Sequence, residues 1–225
     1  MVEESKKKIL VVSPHPDDET LGAGGTILKF KNQGHQVYWL NVTNMATRYG
    51  YPKDLIRNRA AEIKRVVNAY RFDGFFDLAL NPSKLDGYPL SSVIEQVAGI
   101  FAKIKPQVVI LPFRNDLHSD HRVVFQAVLA CTKVFRHPYI KKILMMEILS
   151  ETYPSIGGDS FIPNYFVDIF GFLEKKIDIM NIYKTEIKAH PFPRSTESLK
   201  ALATLRGAEA GCKYAEGFML LRSVG

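Results

Sequence analysis

Two short stretches of this sequence concentrate side chains that can bind a cation and move protons. One is Pro14-His15-Pro16-Asp17-Asp18-Glu19, the other Asn115-Asp116-Leu117-His118-Ser119-Asp120-His121. Between them they hold three of the chain's six histidines. Imidazole and carboxylate together suit zinc or another borderline divalent metal such as ferrous iron. A catalytic site of this kind takes three protein ligands and keeps one position open for water. Two histidines and one carboxylate meet that need, with a His and an Asp from the first stretch and a second His from the other. Spacing alone leaves Asp17 and Asp18 equivalent for the ligand role. His118 and His121, three residues apart, share one face if a helix begins there. Pro14 and Pro16 restrict the backbone around His15 and help to hold it in one geometry.

Each stretch alone also has an ordinary reading. A single histidine at a strand end is usually structural, and adjacent acids at a helix start commonly serve as caps. Occurring at the ends of two strands of one sheet, the pair favours a metal site. A second acid beside a ligand acid is also costly unless it is used, because like charges repel. His15, Asp17 and His121 literally satisfy the His-x-Asp…His signature of ferrous oxygenases. Those enzymes are usually built on antiparallel barrels, and this chain alternates strand with helix. Gly22, Gly24 and Gly25 do not fit the phosphate-cradling G-x-G-x-x-G, and close helix–strand packing accounts for them.

The elements that must position these residues follow from hydrophobic periodicity. Strands are predicted over 8–13, 36–43, 75–80 and 107–112, with helices over 21–33, 55–70, 93–104 and 119–135 between and after them. Strict alternation indicates a parallel sheet covered on both faces. The β-branched runs at 9–12 and 108–111 fit strands buried on both sides. Later, 143–149 and 165–169 read as strands, and 173–188 and 197–210 as helices. The fold class expected is α/β, a Rossmann-like three-layer α/β/α sandwich with a mostly parallel sheet. No repeat, low-complexity tract or Pro/Gly linker marks a boundary, so residues 1–225 are expected to form one domain. In such a sheet ligands bind at the carboxyl ends of the strands, where both stretches fall.

The composition, 46% hydrophobic and 24% charged, is that of a protein with a substantial core. No segment reaches the roughly twenty apolar residues of a membrane span. The apolar run after the charged start, Ile9 to Val12, is too short for a signal peptide core, which makes the cytoplasm the expected compartment. The net charge of +7 is dispersed in short clusters without interleaved aromatics. It predicts no nucleic-acid partner, though it could favour an anionic substrate. Cys131 and Cys212 lie outside any ligand spacing and are expected as reduced thiols.

Taken together, P-H-P-D-D-E-T at 14–20 and H-S-D-H at 118–121 resemble the LmbE-like (PIG-L type) zinc deacetylases. Gly24-Gly25, Arg59-Ala60-Ala61-Glu62, Phe166-Val167-Asp168-Ile169 and His190-Pro191-Phe192-Pro193-Arg194-Ser195 look like further family features. The tail Leu205-Arg206-Gly207 and Tyr214-Ala215-Glu216-Gly217-Phe218 is similar to members that deacetylate N-acetylglucosamine conjugates, including the bacillithiol pathway. The resemblance implies that His15, Asp18 and His121 bind zinc and that Asp17 is the general base for a metal-activated water. It implies that His118 stabilises the oxyanion, and that Asp120 orients His118 or supports the metal shell. Arg59 is implied in substrate binding, against the alternative of a surface arginine paired with Glu62. The expected activity is removal of the acetyl group from an N-acetylated amino sugar, with a homo-oligomer, trimer or hexamer, implied by the family alone. Where the family usually has Pro in its second motif, Ser119 stands here, a good helix N-cap that preserves the turn. Two further readings stay open: an amidase on a larger thiol-sugar conjugate, and a non-catalytic Rossmann-like binding module.

Overall fold

A computed structural model describes residues 6–152 and 160–225; the first five residues of the charged start lie outside it. The chain runs β1 (Lys8–Ser13), α1 (Asp18–Asn32), β2 (Gln36–Thr43), α2 (Lys53–Tyr70), β3 (Gly74–Leu80), α3 (Leu90–Ile104), β4 (Val108–Pro112) and α4 (Ser119–Ala130). It continues through β5 (Lys142–Met146), β6 (Tyr165–Asp168), α5 (Leu173–Met180), α6 (Thr196–Ala210) and β7 (Ala215–Ser223). Seven strands form one sheet in the order β3-β2-β1-β4-β5-β7-β6. β1 to β5 pair in parallel, and β7 is antiparallel to both β5 and β6.

Alternation along β1 sorts side chains onto two cores. Ile9 and Val11 pack with Leu21 and Ile27 of α1, Ile63 and Val66 of α2, and Ile177 of α5. Leu10 and Val12 pack with Val93, Val97 and Phe101 of α3 and with Val124 and Val128 of α4. All four β1 residues are wholly buried, each contributing about 1.5–3 kcal/mol. The α/β three-layer class read from the sequence is the one observed.

β7 has no counterpart in the predicted elements. Its sequence, AEGFMLLRS, has a charged residue and a glycine directly after its first alanine and lacks clean alternation. The charge is buried for a reason. Glu216 accepts the backbone N–H groups of Gly25 (2.8 Å) and Thr26 (2.7 Å) in α1 and pairs with Lys176 of α5 at 2.7 Å. Lys176 Nζ also donates to the Leu21 carbonyl. This explains the glycines: a Cβ at Gly24 would stand 2.6 Å from Tyr70 Oη and 2.9 Å from Lys176 Cγ, and one at Gly25 2.6 Å from Ile169 Cγ2. Several helices are displaced from their predicted bounds. α1 begins three residues early, its first-turn acids facing inward; α4 ends at Ala130 and α5 at Met180.

The connections place the site. From β1 the chain steps through β2 to β3 on one side, then crosses to β4 and β5 on the other. The strand order therefore reverses between β1 and β4, and their carboxyl ends open a crevice there. No helix among the described residues is long and apolar enough to cross a membrane.

Candidate active site

Both sequence stretches meet in this crevice. His15 follows β1, Asp18 opens α1, and His121 lies in the first turn of α4. Asp18 Oδ2 is 3.3 Å from His15 Nδ1 and 3.3 Å from His121 Nε2. Ligands held at 2.0–2.1 Å by a tetrahedral cation stand about 3.3 Å apart, so the spacing fits such an ion. His121 Nε2 is buried without a hydrogen-bond partner among the described residues. An unsatisfied buried nitrogen is costly, and a cation at this point would use its lone pair.

The other ring nitrogens are held by carboxylates. His15 Nε2 lies 3.0 Å from Asp120 Oδ2, and His121 Nδ1 lies 2.8 Å from Asp116 Oδ2. An imidazole that donates its far N–H to a carboxylate presents the near nitrogen as a ligand, with its orientation locked. Asp120 is held in turn by the backbone N–H groups of Ser83 (2.7 Å) and Leu85 (3.0 Å), and Asp116 by the Thr152 hydroxyl (2.6 Å). These bonds engage both oxygens of Asp120 and favour His15, Asp18 and His121 as the ligand set over His15, His118 and Asp120, which also cluster.

The cluster's charges are mutually dependent. Burial pushes the imidazoles of His15 and His121 down, yet their carboxylate neighbours prevail and raise them to about 9 and about 10. Burial pushes Asp18 up, but the two histidines hold it far below the usual carboxylate range. Asp17 goes the other way. Burial, and then the charge of Asp18, raise it well above its ordinary value, with Arg194 opposing.

Asp17 carries a φ of 136°, a conformation costly for any residue but glycine and concentrated at functional sites. That twist separates the two adjacent acids: Asp18 meets the two histidines and Asp17 meets Arg194, and both border a cavity of about 200 Å³. Glu19 pins the turn, accepting the Asp17 N–H (3.0 Å) and the Tyr183 hydroxyl (2.9 Å). His118 rather than Ser119 is the N-cap of α4, its Nδ1 accepting the Asp120 N–H at 3.1 Å. Its proton therefore resides on Nε2, 3.5 Å from Ser83 Oγ. Burial and the nearby His15 lower its pKa, so the ring is a neutral donor at the cavity wall.

Residues 10–132, more than half of the chain, match the model of the family described as PIG-L, GlcNAc-PI de-N-acetylase. The chain belongs to the PIG-L (LmbE-like) deacetylase family. It is 27% identical to the diacetylchitobiose deacetylase of Thermococcus kodakarensis, over 97% of this chain and 84% of that one. It is 22% identical to a probable N-acetyl-α-D-glucosaminyl L-malate deacetylase of Bacillus cereus, over 82% and 86%. Its fold matches the N,N'-diacetylchitobiose deacetylase of Pyrococcus horikoshii with a TM-score of 0.79 at 22% identity, covering 97% and 85% of the two chains. The 4-carboxy-2-hydroxymuconate hydratase GalB of Pseudomonas putida shares the fold too, with a TM-score of 0.73 at 16% identity over 97% and 98%.

In this PIG-L family chain the remaining site residues come from distant segments. Arg59 of α2 is buried, not a surface side chain; it donates to the Pro16 carbonyl (2.9 Å), Thr185 Oγ1 (2.9 Å) and the Glu186 carboxylate, and lies 3.3 Å from Glu62. Arg194 donates to Asp17 Oδ2 at 2.8 Å and to Glu186 Oε2 at 3.1 Å. Asp120 contacts His118 through its backbone, whereas its carboxylate meets His15. His190 is exposed and does not line the cavity. His35 accepts from Lys7 N, and His137 lies 2.6 Å from Tyr139 Oη, both away from the site. Sequence reasoning missed Asp116 as a partner of His121, although the two stand five positions apart in one stretch of sequence; it missed Glu186 altogether, whose contact with Arg59 spans 127 positions.

Proposed function

We propose that this protein is a metal-dependent N-deacetylase that removes the acetyl group from an N-acetylated amino sugar of the N-acetylglucosamine type, with zinc at His15, Asp18 and His121. The observation that carries the reading is the equidistance of Asp18 Oδ2 from two imidazole nitrogens, beside a second, separately held carboxylate. When bound, the metal supplies Lewis acidity toward the acetamide carbonyl and water. Two imidazoles and one acid would also serve ferrous iron.

The chain's own residues account for the proton movements. Asp17, at the cavity wall, takes the proton of the attacking water as general base. Arg194 keeps that carboxylate oriented and helps to keep it ionised. Once protonated, Asp17 is stabilised by its burial and returns the proton to the leaving amine nitrogen as the C–N bond breaks. His118 Nε2–H donates to the oxygen on which negative charge develops, at an expected worth of ~3–4 kcal/mol of barrier. Asp120 and Asp116 hold the ligand imidazoles. Arg59, with its guanidinium already engaged, serves substrate binding by fixing Pro16 and presenting Glu186 to the sugar hydroxyls.

The relatives supply the substrate class, since those named above act on diacetylchitobiose or, by description, on an N-acetylglucosaminyl malate. A hydratase on the same fold means that architecture alone does not select the reaction. Metal analysis of the purified protein, followed by acetate assay on a panel of N-acetylated sugars, tests the proposal. About one equivalent of zinc and acetate release are expected; a metal-loaded protein that frees no acetate from any of them would sink it.

A further inference from the structure

Lysine clusters far apart in the sequence converge at the end of the sheet opposite the candidate active site. Lys7 precedes β1, Lys141 and Lys142 lead into β5, and Lys29 stands in the last turn of α1. They rim a cavity of about 600 Å³, against about 200 Å³ beside Asp17, and the two cavities share no lining residue. The six residues of β1, about 20 Å of extended backbone, lie between this rim and His15. Gln107, ahead of β4, ties the rim together. Its carbonyl accepts the N–H groups of Lys141 (2.8 Å) and Lys142 (3.0 Å), and its side chain accepts that of Lys8 (2.6 Å). The floor is apolar, formed by buried Ile9, Val108 and Val167 with Phe30 of α1.

No Asp or Glu side chain among the described residues lines this cavity. Lys29 and Lys142 meet neutral partners: Lys29 Nζ donates to the Asp168 carbonyl at 2.8 Å, and Lys142 Nζ to Tyr165 Oη at 3.0 Å. Lys29 also offsets the negative end of α1. Lys7, Lys141 and Lys142 stand at strand starts, where no comparable dipole calls for a cation. Like charges gathered in this way repel one another, and a bound anion would remove that cost.

We propose that this cavity binds a nucleoside diphosphate, as a ligand separate from whatever reacts beside Asp17. Four ammonium groups exceed what a single carboxylate can pair with and suit the several oxygens of a diphosphate, through charge-assisted bonds. Inorganic phosphate alone would leave the apolar floor in water. A flat ring system covers that floor, and the volume falls in the range of small-molecule and cofactor sites, about 300–1,000 Å³. Tyr165 Oη, having accepted from Lys142, keeps its own O–H to donate.

Calorimetric titration of the metal-loaded protein with ADP and CDP, and with pyrophosphate, adenosine and cytidine as their parts, tests the site. At least one diphosphate is expected to bind about tenfold or more tightly than pyrophosphate, which leaves the floor uncovered, and than its nucleoside, which carries no charge. Its affinity should fall about tenfold or more in Lys141→Ser/Lys142→Ser and decline with added salt. A melting temperature recorded on the same preparation shows whether that variant is folded. Lys141→Ser alone, a change at an exposed side chain, repeats the comparison if it is not. Equal affinity in the native chain and the folded variant would mean that the phosphates bind elsewhere, at the metal for instance, and overturns the site. A nucleotide no tighter than pyrophosphate or than its nucleoside overturns the ligand class, and so does the absence of binding by either diphosphate.

Discussion

His121 Nδ1 lies 2.8 Å from Asp116 Oδ2, and neither side chain reaches solvent. A buried carboxylate so placed fixes the ring and raises its basicity as a ligand. Asp116→Asn is therefore expected to weaken zinc binding by about 10–100-fold, read by chelator competition. Unchanged affinity would mean that Asp116 does no more than fill space.

Asp17 and His118 should separate metal binding from turnover. Asp17→Asn is expected to keep zinc and lose about 10²–10⁴-fold in kcat, and His118→Ala about 10²–10³-fold. Metal content and acetate release measured on the same preparations check this. Near-native turnover in Asp17→Asn would remove the general base assignment.

The metal-free protein should respond to pH with a definite sign. His15 and His121, raised to about 9 and about 10 by their carboxylates against the opposing effect of burial, are protonated at neutral pH when no ion is bound. Their pKa values lie above the unfolded value near 6.5. The stability they add is thus complete below that value and lost as pH rises through about 9 to 10. Zinc must displace both protons, so its affinity should climb steeply from pH 6 to 9. Thermal melts of the chelated protein and zinc titrations in buffers of different ionisation enthalpy measure the two effects. A pH-independent affinity would be incompatible with them.

The Lys176–Glu216 pair is buried on both sides, 6% and 5% exposed. Removing one partner leaves the other charged and unpaired, at a cost of about 3–5 kcal/mol. Lys176→Met should accordingly unfold at much lower denaturant concentration, whereas Asp54→Ala, in an exposed pair with Arg57, should lie within about 0.5 kcal/mol of the parent. Equal midpoints for the two variants would contradict the structural reading of α1.

Much of the scaffold is legible in local sequence. The runs at Ile9–Val12 and Val108–Leu111 are apolar on both faces, as strands covered on both sides require, and α2 and α3 show helical periodicity. β7 was not legible, because its opening Glu216 reads as a solvent residue until Lys176 and the α1 backbone are brought to it. The early start of α1 escaped for a related reason. Asp18 and Glu19 stand before the predicted helix start at Leu21, yet both lie in the first turn of α1, buried against partners from α4 and from Tyr183.

By itself the sequence determined the donor set, two histidines and adjacent acids on proline-stiffened turns, and the strand pattern that must bring those turns together. Residue type and short-range spacing are local properties, and they are enough for that. Only the tertiary structure decided which acid meets the histidines and which meets Arg194, the two being parted at the positive φ of Asp17. It also decided that Asp116, Asp120 and Arg194 hold His121, His15 and Asp17. The last two contacts join residues more than a hundred positions apart, and such distances are set by how helices pack on the sheet.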